Sequence, residues 1–137
     1  MRVYLDSNVF ISLFEGEIGK GVRGLFVEAE QFLERVTAGG YVLVLSELFF
    51  KEVGKRGHLS QQEVMEYLKA HNVVFEFVEE TEKPPMEIFL KKGLHSSDAL
   101  HAAVAVRHEC DCIVTFNVKD FARAKDLISV FAPDDFI

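Results

Sequence analysis

Cysteine is nearly missing from this chain: two residues in 137, Cys110 and Cys112. Two thiols two positions apart on one strand point the same way but lie too far apart to bond, so no disulfide framework is expected. Both are read as reduced, as in a cytoplasmic protein. A Cys-x-Cys metal clip with His108 is conceivable, but two buried strand cysteines are the commoner outcome. No apolar run approaches the ~20 residues that a membrane-spanning helix needs. Asp6 breaks the early apolar stretch, so no secretory segment is expected. Basic residues are in deficit, 15 Lys and Arg against 22 Asp and Glu, for a formal net charge of -7. That balance argues against simple electrostatic coating of nucleic acid or of an anionic membrane. It leaves room for a nucleic-acid enzyme whose acids gather where metal ions sit. There is no linker, low-complexity stretch or internal repeat, no glycine-rich phosphate loop and no Ser-His-Asp order.

What is present is a core. A hydrophobic fraction of 49% is enough to bury one, and the length points to a single domain over residues 1–137. Residues 2–5 form a short apolar strand ending at Asp6, and Ser7-Asn8 then start a helix closed by Gly16 and Gly19. Val22, Leu25, Phe26, Ala29, Phe32, Leu33 and Val36 recur at helical spacing, and Gly39-Gly40 ends that helix. Residues 41–45 read as a second strand, with Ser46 and Glu47 opening a helix behind it. Ser60-Gln61-Gln62-Glu63 has the form of a capping box. Residues 73–78 read as a third strand, and Pro84-Pro85 as the opening of a helix through Leu90. The stretch 95–106 predicts a helix of small apolar residues, 112–116 a fourth strand, Asn117 the cap of a short helix, and 127–131 a fifth strand. Residues 134–137 are left as a tail. Short, continuously apolar strands alternating with helices predict an α/β fold, with a parallel sheet covered on both faces.

The position of certain acids is more informative than their number. Asp6 stands at the end of the first strand, Glu47 just past the second and Asp120 just past the fourth. The carboxyl ends of parallel strands share one edge, where ligands bind. Asp98 opens the helix before the fourth strand. With that helix antiparallel to the strands, an ordinary connection is expected to put its start at the other edge, and a longer approach through residues 93–97 to put it near the crevice; spacing leaves both open. Clustered carboxylates repel one another, and a divalent cation relieves that cost; oxygens with few imidazoles suit Mg²⁺ or Mn²⁺ rather than zinc. Taken singly, each acid is equally a helix cap or a solvated first-turn charge.

Four segments together resemble the PIN domain, the ribonuclease fold of VapC-type toxins. They are Tyr4-Leu5-Asp6-Ser7-Asn8-Val9, Ser46-Glu47, Ser97-Asp98-Ala99-Leu100-His101-Ala102-Ala103 and Thr115-Phe116-Asn117-Val118-Lys119-Asp120-Phe121. Each is weak alone; their order and spacing over nearly the whole chain are not. The resemblance implies a three-layer α/β/α sandwich around about five parallel strands, with Asp98 reaching the crevice. It implies Asp6, Glu47, Asp98 and Asp120 as catalytic, metal-binding acids for Mg²⁺ or Mn²⁺. Asn117 falls where many members have another acid, which leaves one or two metals open. Ser7 and Thr115 are then supporting or substrate-phosphate hydroxyls, Asn8 a support for Asp6, and Lys119 a substrate contact. The implied activity is cleavage of RNA to a 5′-phosphate and a 3′-hydroxyl, with an antitoxin protein as partner and a homodimer as the assembly.

The remaining residues are less specific. His101, three positions after Asp98, either faces the site or is a packed core side chain. Lys51, Lys55, Arg56, Lys119, Arg123 and Lys125 are candidate phosphate clamps or ordinary solvated charges. Phe49-Phe50 and the apolar face at 84–90 suggest a dimer surface or a groove for an antitoxin helix. A phosphoacceptor receiver domain needs an acid pair after the first strand and a lysine after the fifth, and both are missing. A haloacid-type phosphatase needs Asp-x-Asp where this chain has Asp6-Ser7-Asn8. Two competing roles keep the same fold: a housekeeping RNA-processing nuclease, and a catalytically degenerate binding module.

Overall fold

The computed structural model describes residues 1–136 except 18, 20 and 81, with only the backbone of Glu17. The elements run β1 (Arg2–Leu5), α1 (Ser7–Glu17), α2 (Arg23–Gly39), β2 (Val42–Ser46), α3 (Glu47–Gly57), α4 (Gln61–Ala70), β3 (Val74–Val78), α5 (Glu87–Lys91), α6 (Ser96–Arg107), β4 (Cys112–Val114), α7 (Val118–Phe121) and β5 (Ser129–Phe131). The five strands form one sheet in the order β3-β2-β1-β4-β5, and every pairing is parallel.

Strand periodicity sorts the core into two layers. Val3 and Leu5, Leu43 and Leu45, and Cys112 and Val114 face one side and pack with side chains of α1 to α4. The alternate residues Tyr4, Val44 and Ile113 face the other side, against α5, α6 and α7. This is the period-two alternation of a sheet buried on both faces, and it makes a three-layer α/β/α sandwich. The small residues Ala99, Ala102, Ala103 and Ala105 on α6 are buried and let that helix lie close to the strands.

Local chemistry explains most element ends. Gly40 stands in the left-handed region at φ 66° and stops α2. Ser46 Oγ accepts the Phe49 N–H at the start of α3, and Ser60 with Glu63 completes the capping box of α4. Three expectations are corrected. The helix assigned to Pro84-Pro85 begins only at Glu87, with Met86 at its N-cap, so the prolines lie in the approach loop. Val22 precedes α2 and is exposed instead of joining its buried stripe. The end of the chain is no loose tail through Phe136, whose ring is buried against Phe32 and Tyr41; Ile137 lies outside the described residues.

One glycine is required by a close approach. A Cβ on Gly16 in α1 would overlap Cδ1 and Cγ of Phe26 on α2. Gly16→Ala is therefore expected to destabilise the protein by about 1–2 kcal/mol in urea denaturation. The overlap outweighs the up to ~1 kcal/mol of helix propensity that alanine gains.

Candidate active site

The chain builds β1, β2 and β3 outward in one direction, then returns to place β4 and β5 on the other side of β1. The crevice outside the carboxyl ends of β1 and β4 is thus the switch point where an open parallel sheet offers a ligand site. Asp6 stands there, buried, its N–H donating to the Val114 carbonyl at 3.0 Å. Thr115 follows β4, and its hydroxyl donates to Asp6 Oδ2 at 2.7 Å. The same hydroxyl oxygen accepts the Asn117 N–H at 3.0 Å. Asn8 does not contact Asp6 directly: its amide nitrogen reaches Thr115 at 3.4 Å, and its Oδ1 accepts the Phe116 N–H at 3.3 Å. It braces the loop that holds Thr115.

The start of α6 delivers Asp98 to the same crevice. A crossover helix antiparallel to its strands begins at their carboxyl edge, so the ordinary connection suffices. The expectation that such a connection leads to the other edge is corrected. Asp98 is partly buried, and that burial, with repulsion from Asp120 and then Asp6, holds its carboxyl above the usual aspartate range. Asp120, exposed on α7, lines the same cleft of about 260 Å³. Asn117 precedes α7 without a side-chain cap bond and lines the cleft as well.

The fourth acid lining this cleft is Glu52, and Glu47 lies outside it. That carboxylate accepts the Glu80 N–H at 2.9 Å beyond the end of β3, and it lines a separate depression with Lys51 and Lys83. Glu52, further along α3, lines the cleft instead. At ~100° per residue, positions 47 and 52 point ~140° apart around a helix, so one helix does not aim both the same way. The signal for Glu52 was faint but present. Glu47 sits in a first turn, where the helix dipole already explains an acid; Glu52 lies mid-helix beside the buried Phe49 and Val53, where its i,i+4 spacing to Arg56 is the one local account.

Glu52 Oε1 accepts the Ser7 hydroxyl at 2.9 Å and lies 2.7 Å from Nε2 of the buried His101. Burial works to raise this carboxyl, but the His101 contact, Ser7 and Arg56 together hold it below the usual glutamate range. Arg56, one turn on, donates to the Ser7 hydroxyl at 3.0 Å and lies 3.8 Å from Glu52 Oε2. Behind His101, Nδ1 lies 2.5 Å from the Tyr4 hydroxyl, which lies 2.8 Å from Ser46 Oγ. Burial above all, with the nearby charges of Asp6 and Glu52, pushes the Tyr4 phenol well above its ordinary range. Asp6, Glu52 and His101 each offer an atom within 4.8 Å of the others, a spacing that suits one cation.

Across residues 3–127 the sequence matches the family model of the PIN domain. The chain belongs to the PIN-domain family. Among solved structures, this PIN domain is similar to a toxin–antitoxin complex from Klebsiella pneumoniae, at 24% identity and a TM-score of 0.63, over 98% of this chain and 99% of that one. It is also similar to VapBC-1 from nontypeable Haemophilus influenzae, at 17% identity and a TM-score of 0.62, over 97% and 98%. At these identities the likeness shows the fold. A search of curated proteins finds no match.

Within this PIN domain the other sequence candidates separate cleanly. Ser7 holds Glu52, and Thr115 holds Asp6. Lys119 is exposed and outside the cleft lining, while Lys51 lines the Glu47 depression. Arg123 turns away to the Lys92 carbonyl at 3.4 Å, leaving Arg56 as the proposed clamp that does line the cleft. Phe49 is fully buried against Phe10 and Phe50, and the partly buried Phe50 packs on Phe77, so Phe49 belongs to the core. Ile88 and Leu90 on α5 remain exposed. Cys110 and Cys112 are free thiols, pushed by burial to about 11 and about 12. His108 pairs with Glu80 at 3.0 Å, and among the described residues it does not group with Cys110 and Cys112 at metal-ligand spacing. Among the described residues, no helix is long and apolar enough to cross a membrane.

Proposed function

We propose that this PIN domain is a metal-dependent endoribonuclease acting as the toxin of a toxin–antitoxin pair. The observation that carries the reading is the convergence of Asp6, Glu52, Asp98 and Asp120 on one cleft at the switch point of the sheet. The donor set fits a hard divalent cation: carboxylate oxygens, with Asp98 raised by burial and by its acidic neighbours, are what Mg²⁺ or Mn²⁺ relieves. Asp6, Asp98 and Asp120 would hold the ion, with Glu52 beside them. When bound, such an ion acidifies an attacking water and stabilises the charge on the leaving oxygen. The protein supplies the rest. Thr115 fixes one oxygen of Asp6, Ser7 and His101 fix one oxygen of Glu52, and Arg56 offers a guanidinium at the cleft for a substrate phosphate.

The substrate reading rests on the family and the acid cluster, and the toxin role on the likeness to toxin–antitoxin complexes. A cytoplasmic homodimer bound by a cognate antitoxin completes the proposal. The biochemical test is cleavage of an end-labelled RNA by the purified protein with Mg²⁺ or Mn²⁺. Activity should vanish with EDTA and in Asp6→Asn, and return on adding metal to the wild type alone. The biological test is growth arrest on induced expression, relieved by co-expression of a small protein encoded next to this gene. Activity that survives EDTA and Asp6→Asn would refute the nuclease site.

Metal binding has a separate readout in the fold. An ion that binds only the native state stabilises it by about 2.7 kcal/mol at a hundredfold excess over its Kd. Thermal unfolding with saturating Mn²⁺ is therefore expected several degrees above unfolding in EDTA. An unchanged midpoint would indicate a degenerate copy that does not hold the ion.

A further inference from the structure

The buried contacts behind Glu52 form one continuous chain, with a direction that its carboxylate end sets. Ser46 Oγ accepts the Phe49 N–H at 3.1 Å, and because the carboxylate oxygen of Glu52 can only accept, the protons run toward it from Ser46, whose hydroxyl points at Tyr4. The Tyr4 proton is then directed to His101 Nδ1, and the proton on His101 Nε2 to Glu52 Oε1. In this arrangement the Ser46 and Tyr4 hydroxyls each accept and donate, and both imidazole nitrogens have a partner. Ser46, Tyr4 and His101 are all buried, with exposures of 1%, 0% and 2%. Water has little access to compete for these bonds, and burial strengthens each of them. The origin of the chain is a backbone amide at a helix start, a rigid point of the fold.

The far end is what gives the chain a role. Glu52 Oε1 takes both the His101 and the Ser7 bonds, while Oε2 makes no hydrogen bond among those described and lies 3.8 Å from Arg56. One oxygen is thus held by the protein interior and the other is left for the cleft. A core histidine that served packing alone would not need a carboxylate of the cleft as its partner. We infer that His101 is a positioning residue for the reaction: oriented by Ser46 and Tyr4, it holds Glu52 so that its second oxygen addresses the reacting water or the ion. The inference rests on the nuclease reading above and names a residue that acts through Glu52.

The test is steady-state RNA cleavage by Tyr4→Phe, His101→Leu and His101→Gln with saturating Mn²⁺, each checked for folding by its thermal midpoint. Orienting groups next to a metal site are worth ~10–100-fold. His101→Leu is expected to lower kcat by ~10-fold or more with KM for RNA changed less than ~2-fold. His101→Gln, which keeps a donor near Glu52, should recover a substantial part of that loss. Tyr4→Phe removes one hydroxyl and keeps the ring, and should lower kcat by ~3–10-fold. Wild-type kcat in folded Tyr4→Phe and His101→Leu would overturn the inference, as would a loss carried by KM alone or equal losses in His101→Leu and His101→Gln. If His101→Leu does not fold, kcat of Tyr4→Phe decides. The nuclease reading stands or falls separately on Asp6→Asn: an inactive Asp6→Asn beside a fully active Tyr4→Phe sinks only the positioning role.

Discussion

Asp98→Asn is expected to be more stable than the wild type without metal and nearly inactive with it. The two effects have one origin. Burial, Asp120 and Asp6 raise the Asp98 carboxyl in the folded state. A raised carboxyl stabilises the fold at pH values below its unfolded value, and that contribution is lost as pH rises through the folded one. At neutral pH the ionised group is therefore a net burden on the metal-free protein, and the amide removes it. In EDTA, the melting midpoint of Asp98→Asn should rise by ~2–5 °C. With Mn²⁺ the order should narrow or reverse, because the wild type gains the ion's binding energy and the variant loses a ligand charge. Cleavage of RNA should fall by ~10²–10³-fold, the scale of removing one preorganised electrostatic group from an active site. Full retained activity would remove Asp98 from the site. A lower midpoint in EDTA would show that its charge is compensated in the native state.

The sharpest comparison is between two glutamates of one helix. Glu52→Gln should lose ~10²-fold or more in kcat, since it keeps the size of the side chain and removes the charge in the cleft. Glu47→Gln should stay within about threefold of wild type: its carboxylate bonds the Glu80 N–H beside a different depression, and an amide oxygen accepts the same bond. Assayed under the same conditions, Glu47→Gln serves as the control for charge on α3. Loss of activity in Glu47→Gln with retention in Glu52→Gln would reverse the assignment and restore the pattern drawn from the sequence motif.

That reversal of roles shows where sequence reasoning stops. The strands were legible because each is a short apolar run, and the sheet's two buried faces follow from alternation alone in Val3-Tyr4-Leu5 and Leu43-Val44-Leu45. Asp6 was legible because a carboxylate directly after such a strand has nowhere to go but the sheet edge. Glu52 was hidden because its meaning depends on the angle at which α3 leaves β2, a tertiary quantity. The histidine had two reasonable fates, cleft or core, and the structure gives it both: the ring is buried while one nitrogen reaches Glu52. The prolines at 84 and 85 misled for a different reason, since proline suits a helix start and equally an extended approach loop.

The order of strands has a consequence for when the cleft can assemble. Its four cleft carboxylates come from residues 6, 52, 98 and 120, and β1, which carries the first, finds its neighbour β4 only late in the chain. Synthesis runs from the N-terminus, so Asp6 leaves the ribosome long before Asp98 and Asp120 exist to join it. A nascent chain emerging among ribosomal RNA thus carries no assembled carboxylate cluster. The scattering of these carboxylates along the sequence delays assembly of the cleft until nearly the whole fold has been made.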